Sequence, residues 1–343
     1  MPARSSASSR CGRRSTSTDS TGSRPRSSLR SDEAAPVTTD NELRLDPLTL
    51  EWVAIVGQRQ ARPNLPSEGC PFCVGGLEAP EPYTVRAFEN RWPAFGPGAP
   101  IDPDGAAAHA TGFRALPARG AAEVVLYSSD HTGSLATIGL DGARAVVDCW
   151  AERTEALLAR PEIEYVLVFE NRGELVGATI SHPHGQIYAF GFLPPVPRRE
   201  AEVAAEHGCS LCETVPAEVV TATRIVREGG GWVTYVPYAS GYAYGTILAP
   251  RAHVAGLPEL DDPGRDELAA ALVDVVERYD RLFDGEMPYL MWVHPGVHLH
   301  VHFAPLLRAA GLQRFVASGE LGSGTLSNPV PPELAADALR GTL

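Results

Sequence analysis

The chain has no lysine; all 29 of its basic residues are arginine. That absence excludes several chemistries at once. There is no "GK[ST]" phosphate loop, whose lysine reaches the nucleotide phosphates, and no lysine to form a Schiff base with pyridoxal phosphate or an aldol substrate. Long apolar runs are missing too. None approaches the roughly 20 residues that cross a bilayer, so no transmembrane helix and no membrane partner are predicted. No hydrophobic signal segment precedes the body, and the expected location is the cytoplasm. Positive charge is also short: formal net charge is −13, and the first forty residues hold seven arginines against four acids. The remaining body is therefore more acidic still, a poor match for nucleic acid or an anionic membrane. Small phosphorylated ligands stay open, because a few local arginines are enough to hold one.

Cysteines are few: Cys11, Cys70, Cys73, Cys149, Cys209 and Cys212. Four of them form two C-x-x-C pairs, "CPFC" and "CSLC". In an intracellular chain such pairs read as metal ligands or redox dithiols. Cys149 lies in the helical-looking "GARAVVDCWAERTEALLA" and reads as a small buried residue. Residues 1–40 are rich in Ser, Arg and Thr with almost no large apolar side chains, and a disordered leader is expected there. The ordered body is expected to begin at "LRLDPLTLEWVAIV".

With 343 residues the chain can hold two domains or one duplicated domain, and the pattern favours duplication. "LYSSDHTGSLATI" (126–138) and "LAPRAHVAGLPEL" (248–260) share Leu, His five residues on, Leu four further and Ile or Leu three after that. A strand-like run precedes each, "AAEVV" and "AYGTI". An amphipathic helical segment follows each, "GARAVVDCWAERTEALLA" and "GRDELAAALVDVVERYDRLF". Another strand comes next, "YVLVFENRG" or "YLMWVHPG", and then a histidine-rich strand, "SHPHGQIYAF" or "VHLHVHFAP". The predicted fold class is α+β: two antiparallel-sheet-plus-helix halves, 41–200 and 201–343, forming one pseudo-symmetric unit.

The cysteine pairs fall into the same frame. The first half runs Cys70, Cys73, His131, His182; the second runs Cys209, Cys212, His253, His298. Two thiolates and two imidazoles form a closed tetrahedral set suited to zinc, whereas a redox dithiol has no need of downstream histidines. A closed set leaves no open position, so the expected zinc is structural. One such ion is predicted and a second is expected. Glu200, His294, His300 and His302 form another plausible set in the second half, so one site of either kind, or two, is available there. The Cys-containing set is favoured because it repeats the first.

If His182 and His184 share a strand, they point the same way, about 7 Å apart. His182 can then face the metal while His184 stands beside it, able to react. Neutral imidazole is nucleophilic near pH 7, and the N–P bond it forms is labile to a second acceptor. Gly185 would let a ligand approach the backbone, and Gln186, two positions from His184, would reach a phosphate oxygen.

"FENRGELVGATISHPHGQIYA" closely resembles the active-site segment of the galactose-1-phosphate uridylyltransferases, a branch of the histidine-triad superfamily. The resemblance spans about 43–335, with "DPLTLEWVAIVGQRQARP", "CPFC", "FENRW", "DH", "FEN", "HPHGQ" and "HLHVHFAPLLR" in the family's order. It implies a duplicated histidine-triad-like fold and a double displacement. His184 would attack the α-phosphorus of UDP-glucose and expel glucose 1-phosphate; galactose 1-phosphate would then capture the uridylyl group, giving UDP-galactose. By the same resemblance His182 with Cys70, Cys73 and His131 holds zinc, and Gln186 contacts the transferred phosphoryl group. Arg59, Arg62, Asn90, Asn171 and Thr179 match nucleotide- and phosphate-binding positions. Arg314, Phe315 and Glu320 match residues that bind the hexose phosphate across a homodimer. Glu200, His294, His300 and His302 match an iron- or zinc-binding site. The second cysteine pair and the tail "GELGSGTLSNPVPPE" resemble instead the ADP-glucose phosphorylase branch, where both halves bind zinc. An ADP-glucose or dinucleoside-polyphosphate phosphorylase using the same histidine is the alternative enzyme, and a non-catalytic zinc module the alternative from another class.

Overall fold

The computed structural model describes residues 41–57, 69–97, 113–178 and 180–343. The expected leader, 1–40, lies outside them. In the first half the elements are β1 (Glu42–Leu45), β2 (Trp52–Ile55), β3 (Arg86–Glu89), β4 (Ala115–Pro117), β5 (Gly120–Leu126), α1 (Gly139–Leu158), β6 (Tyr165–Arg172) and β7 (His184–Phe190). Helices α2 (Pro195–His207) and α3 (Ser210–Thr221) lead to β8 (Ile225–Gly229), β9 (Trp232–Tyr235), β10 (Thr246–Pro250), α4 (Asp262–Leu282), β11 (Tyr289–His294) and β12 (His300–Pro305). A short hairpin of β13 (Leu307–Ala309) and β14 (Leu312–Gln313) precedes α5 (Ser318–Ser323) and α6 (Pro332–Arg340).

Nine strands form one antiparallel sheet in the order β3-β5-β7-β6-β11-β12-β10-β9-β8. The order carries the duplication: reading outward from the centre, β6, β7, β5 on one side answer β11, β12, β10 on the other. The halves join where β6 pairs with β11, Val168 opposite Val293 and Arg172 opposite Tyr289. The helical segments expected from the repeat form, and so do the strands, although β7, β10 and β12 begin later than expected, at His184, Thr246 and His300.

Strand alternation decides which side chains meet which layer. Val166 and Val168 of β6, Ile187 and Ala189 of β7, Met291 and Val293 of β11, and Val301 and Phe303 of β12 all enter one core with α1 and α4. Trp150 of α1 and Leu272, Val275 and Tyr279 of α4 are fully buried in it; each such aliphatic side chain contributes about 1.5–3 kcal/mol. Arg144 of α1 bridges to Asp262 at 2.7 Å and to Asp266, tying the two helices at their solvent edge. Asp261 caps α4 by accepting from the Gly264 N–H at 2.9 Å.

The opposite face is covered differently in the two halves. Leu43 of β1 and Leu116 of β4 pack there on Tyr165 and Phe190 in the first half. Val215 of α3 packs on Val233, Tyr235 and Ala249 in the second. Gly173, after β6, turns the chain at φ 95° where a Cβ would lie 3.0 Å from the Pro288 side chain, so only glycine fits without strain. That turn begins the loop leading to the first histidine pair.

Candidate active site and metal centres

The four expected ligands of the first half converge. The donor atoms of Cys70, Cys73, His131 and His182 lie within 4.8 Å of one another. Sulfur-to-Nδ1 separations are 3.4 Å for Cys73–His131, 3.7 Å for Cys73–His182 and 3.8 Å for Cys70–His182. A tetrahedral zinc with bonds near 2.3 Å to sulfur and 2.0 Å to nitrogen places such atoms roughly 3.5 Å apart, so the donor set fits that ion. His182 is prepared for the role. Its Nε2–H donates to the Ser128 carbonyl at 2.8 Å, with the Tyr83 hydroxyl 2.9 Å away, leaving the Nδ1 lone pair for the sulfur side. Burial pushes its imidazole below the usual histidine range, toward the neutral form a metal needs. The Cys73 thiol is pushed up by burial and by Cys70, strain that a bound cation would relieve.

His182 and His184 do not share a strand as expected. β7 begins at His184, and His182 occupies the bend before it. The two rings are coupled through the backbone instead: His184 Nδ1 lies 2.7 Å from the His182 carbonyl. A carbonyl only accepts, so Nδ1 carries the proton and the lone pair resides on Nε2. Phe72, inside "CPFC", meets both rings edge-on at 6.0 and 5.2 Å.

His184 lines a cavity of about 970 Å³ with Glu170, Asn171, Arg172, Gly173, Gly177, Ile180 and Glu286. Gln186 projects from the same face of β7 as His184 by alternation, although it is not among the residues lining that cavity. Gly185 departs from its expected role. A Cβ there would meet the Tyr127 hydroxyl at 2.2 Å and no ligand space, so the missing side chain makes room for a tyrosine of the α1/α4 core. Beside Tyr127 is Glu170, 4% exposed, whose Oε1 accepts from the Tyr289 hydroxyl at 3.1 Å.

In the second half both candidate ligand sets assemble. Cys209, Cys212, His253 and His298 converge within 4.8 Å, with sulfur-to-Nδ1 distances of 3.3, 3.4 and 3.6 Å. His298 repeats His182: it sits before a strand and its Nε2–H donates to a carbonyl, that of Pro250, at 3.0 Å. His300 then repeats His184, its Nδ1 donating to the His298 carbonyl at 2.7 Å. Here the resemblance between halves stops. His300 faces Glu200, His294 and His302, which form a third group within 4.8 Å. Glu200 Oε1 is 3.0 Å from His294 Nδ1 and 3.8 Å from His300 Nε2. His302 stacks on Trp292, and its buried Nε2 has no hydrogen-bond partner among the described residues. Burial holds His302 well below the usual range, and nearby His300 and His294 add to it. A ring nitrogen kept neutral and unpartnered beside a carboxylate fits a metal ligand.

Other expected site residues scatter. Asn90 follows β3, where its Oδ1 accepts from the Trp92 N–H at 2.9 Å. Arg314 and Glu320 pair with each other at 2.6 Å in the C-terminal segment, while Phe315 is 76% exposed beside them. None of the three lines the His184 cavity. Arg59, Arg62 and Thr179 lie outside the described residues. Tyr83, Tyr127 and Glu170 were not anticipated; only the "FEN" segment pointed near one of them.

Comparison with known proteins agrees with this geometry. The family model described as galactose-1-phosphate uridyl transferase, N-terminal domain, matches residues 35–194, and that of the C-terminal domain matches 199–342. A galactose-1-phosphate uridylyltransferase of Thermotoga maritima is 39% identical over 88% of this chain and 98% of its own length. One of Streptomyces lividans is 32% identical over 88% and 87%. Among solved structures, a uridylyltransferase superposes with a TM-score of 0.78 at 28% identity, covering 88% of this chain and 98% of that one. An ADP-glucose phosphorylase of Arabidopsis thaliana with bound ADP-glucose reaches 0.65 at 25% identity, covering 88% and 98%. The chain belongs to the galactose-1-phosphate uridylyltransferase family.

Proposed function

We propose that the chain transfers UMP between UDP-glucose and galactose 1-phosphate through a covalent uridylyl-histidine, giving UDP-galactose and glucose 1-phosphate. One observation carries the reading: His184, in "HPHGQ", has its Nδ1 proton held by a carbonyl at 2.7 Å while its ring lines the large cavity. The lone pair on Nε2 attacks the α-phosphorus, and the bond to the glucose 1-phosphate oxygen breaks with its electron pair on the leaving group. The ring becomes cationic, and the His182 carbonyl stabilises that charge through Nδ1–H. Galactose 1-phosphate then attacks phosphorus from the emptied side, and the N–P electron pair returns to Nε2. Gln186 and Asn171 donate to the phosphoryl oxygens; Arg59, Arg62, Asn90 and Thr179 hold the nucleotide.

The Cys70/Cys73/His131/His182 set would hold a zinc of structural role, its four ligands fixing the bend that presents His184. The Cys209/Cys212/His253/His298 set would hold a second zinc in the same way. Glu200, His294, His300 and His302 would hold a further iron or zinc ion. Residues 41–200 thus carry the chemistry. Residues 201–343, joined by Glu200, carry two metal centres and, through Arg314, Phe315 and Glu320, the hexose-phosphate and partner contacts of a homodimer in the cytoplasm. The test is to incubate the protein with radiolabelled UDP-glucose or, separately, ADP-glucose and to look for label on denatured protein. Label from UDP-glucose that galactose 1-phosphate discharges supports the proposal. Label from ADP-glucose alone reassigns the base, and no label from either sinks the covalent mechanism.

A further inference from the structure

Behind the catalytic strand lies a polar group that the reaction as drawn does not use. Glu170 of β6 and Tyr289 of β11 reach into the apolar layer under α1 and α4, and Tyr127 enters from the end of β5. Tyr289 donates to Glu170 Oε1 at 3.1 Å. Glu170 Oε2 and the Tyr127 hydroxyl are both buried, and neither makes a hydrogen bond of standard geometry among the described residues. Tyr127 and Glu170 are close enough to shift each other's ionisation. A carboxyl this buried is costly unless it serves something, and Glu170 also borders the cavity that His184 lines. What it touches, through one phenol, is the backbone beside His184: the Tyr127 hydroxyl fills the space of the missing Gly185 side chain.

We propose that Glu170 is a positioning residue for phosphoryl transfer: through the Tyr127 hydroxyl it fixes the Gly185 backbone, and with it His184 and Gln186 on either side. The inference rests on His184 as the nucleophile. It has a consequence for pH. Burial pushes the Glu170 carboxyl up to about 7, against the opposing charge of Arg172 and the hydrogen bonds of Tyr289 and Tyr127. The other groups facing the network are Asp280, which pairs with Arg172 at 2.7 Å, and Cys149 of α1, against Tyr127. Across neutral pH the carboxyl therefore changes charge. Ionisation draws the Tyr127 proton toward the carboxylate and away from the catalytic strand.

The experiment is single-turnover labelling by radiolabelled UDP-glucose between pH 6 and 9, on wild type, E170Q, Y127F and the double variant, each checked for wild-type zinc content. The wild-type rate constant is expected to fall above pH 7, and E170Q to lose that fall. Y127F is expected to slow labelling roughly tenfold at pH 6.5 with the UDP-glucose concentration dependence unchanged, the size of one lost hydrogen bond, while E170Q, the neutral isostere, stays within about threefold of wild type there. The double variant is expected to be no slower than the slower single one, because both remove one device. Additive losses, or an E170Q profile that superposes on wild type, overturn the proposal while leaving the histidine mechanism intact. A wild type that never labels overturns both.

Discussion

The two halves solve the same problem of anchoring with the same parts and then part company two residues later. In each, a C-x-x-C pair, a histidine before a helix and a histidine before a strand gather into one cluster. In each, the first strand histidine donates Nδ1–H to the carbonyl of the metal-facing histidine at 2.7 Å. His184 then lines a cavity of about 970 Å³, whereas His300 faces Glu200, His294 and His302 at the edge of a smaller cavity of about 310 Å³. In the proposed reading the surroundings of Nε2 decide whether the imidazole meets phosphorus or a metal, and in the second copy Glu200 of α2 stands 3.8 Å from that atom.

The sharpest way to break the comparison is to remove the two equivalent histidines in turn. H184N is expected to lower uridylyl transfer by about four orders of magnitude or more, the scale for losing a covalent nucleophile. H300N is expected to keep labelling and to lose metal from the third cluster, read by elemental analysis of purified protein. Next come the anchors. C73S is expected to lose one zinc per chain, several kcal/mol of stability and nearly all labelling, since the proposed ion would hold the bend before His184. C212S is expected to lose one zinc with labelling largely kept.

Glu170 gives a smaller, pH-dependent effect. Its folded pKa, about 7, stands above the ordinary 4.5, so the stability linked to its protonated form is complete below 4.5 and lost as pH rises through 7. E170Q is therefore expected to raise stability by about 3 kcal/mol at pH 8 and by almost nothing at pH 4, measured by urea unfolding at both. G185A is expected to cost about 1–3 kcal/mol by overpacking against Tyr127, with Y127F recovering part of the loss. Smallest is R144M at the α1–α4 edge. Its partners Asp262 and Asp266 are largely exposed, and the expected cost is at most about 1 kcal/mol.

The metal-capable clusters and His184 beside them were legible because they repeat, and a repeated order of four ligand types leaves little to chance. The helix and strand segments were legible from the same alignment. The second half was ambiguous at "HLHVH" because three alternating histidines can serve two clusters. The fold resolves it: His298 stays in the bend facing the cysteines, and His300 and His302 enter β12 facing Glu200. Tyr127 was invisible, since its contact with Gly185 depends on the register of β5 against β7, with Leu126 opposite His184. Glu170 lies within "FEN", but an acid in a strand reads as solvent-facing until both faces of the sheet are known to be covered.

The central claim is that one histidine of two equivalents carries the chemistry. A pulse of radiolabelled UDP-glucose, alkaline denaturation and mapping of the labelled peptide tests it directly. The account predicts label on His184 alone, in the peptide containing "HPHGQ", discharged by galactose 1-phosphate. Label on the peptide containing "HLHVH", or stable label in H184N, would contradict it.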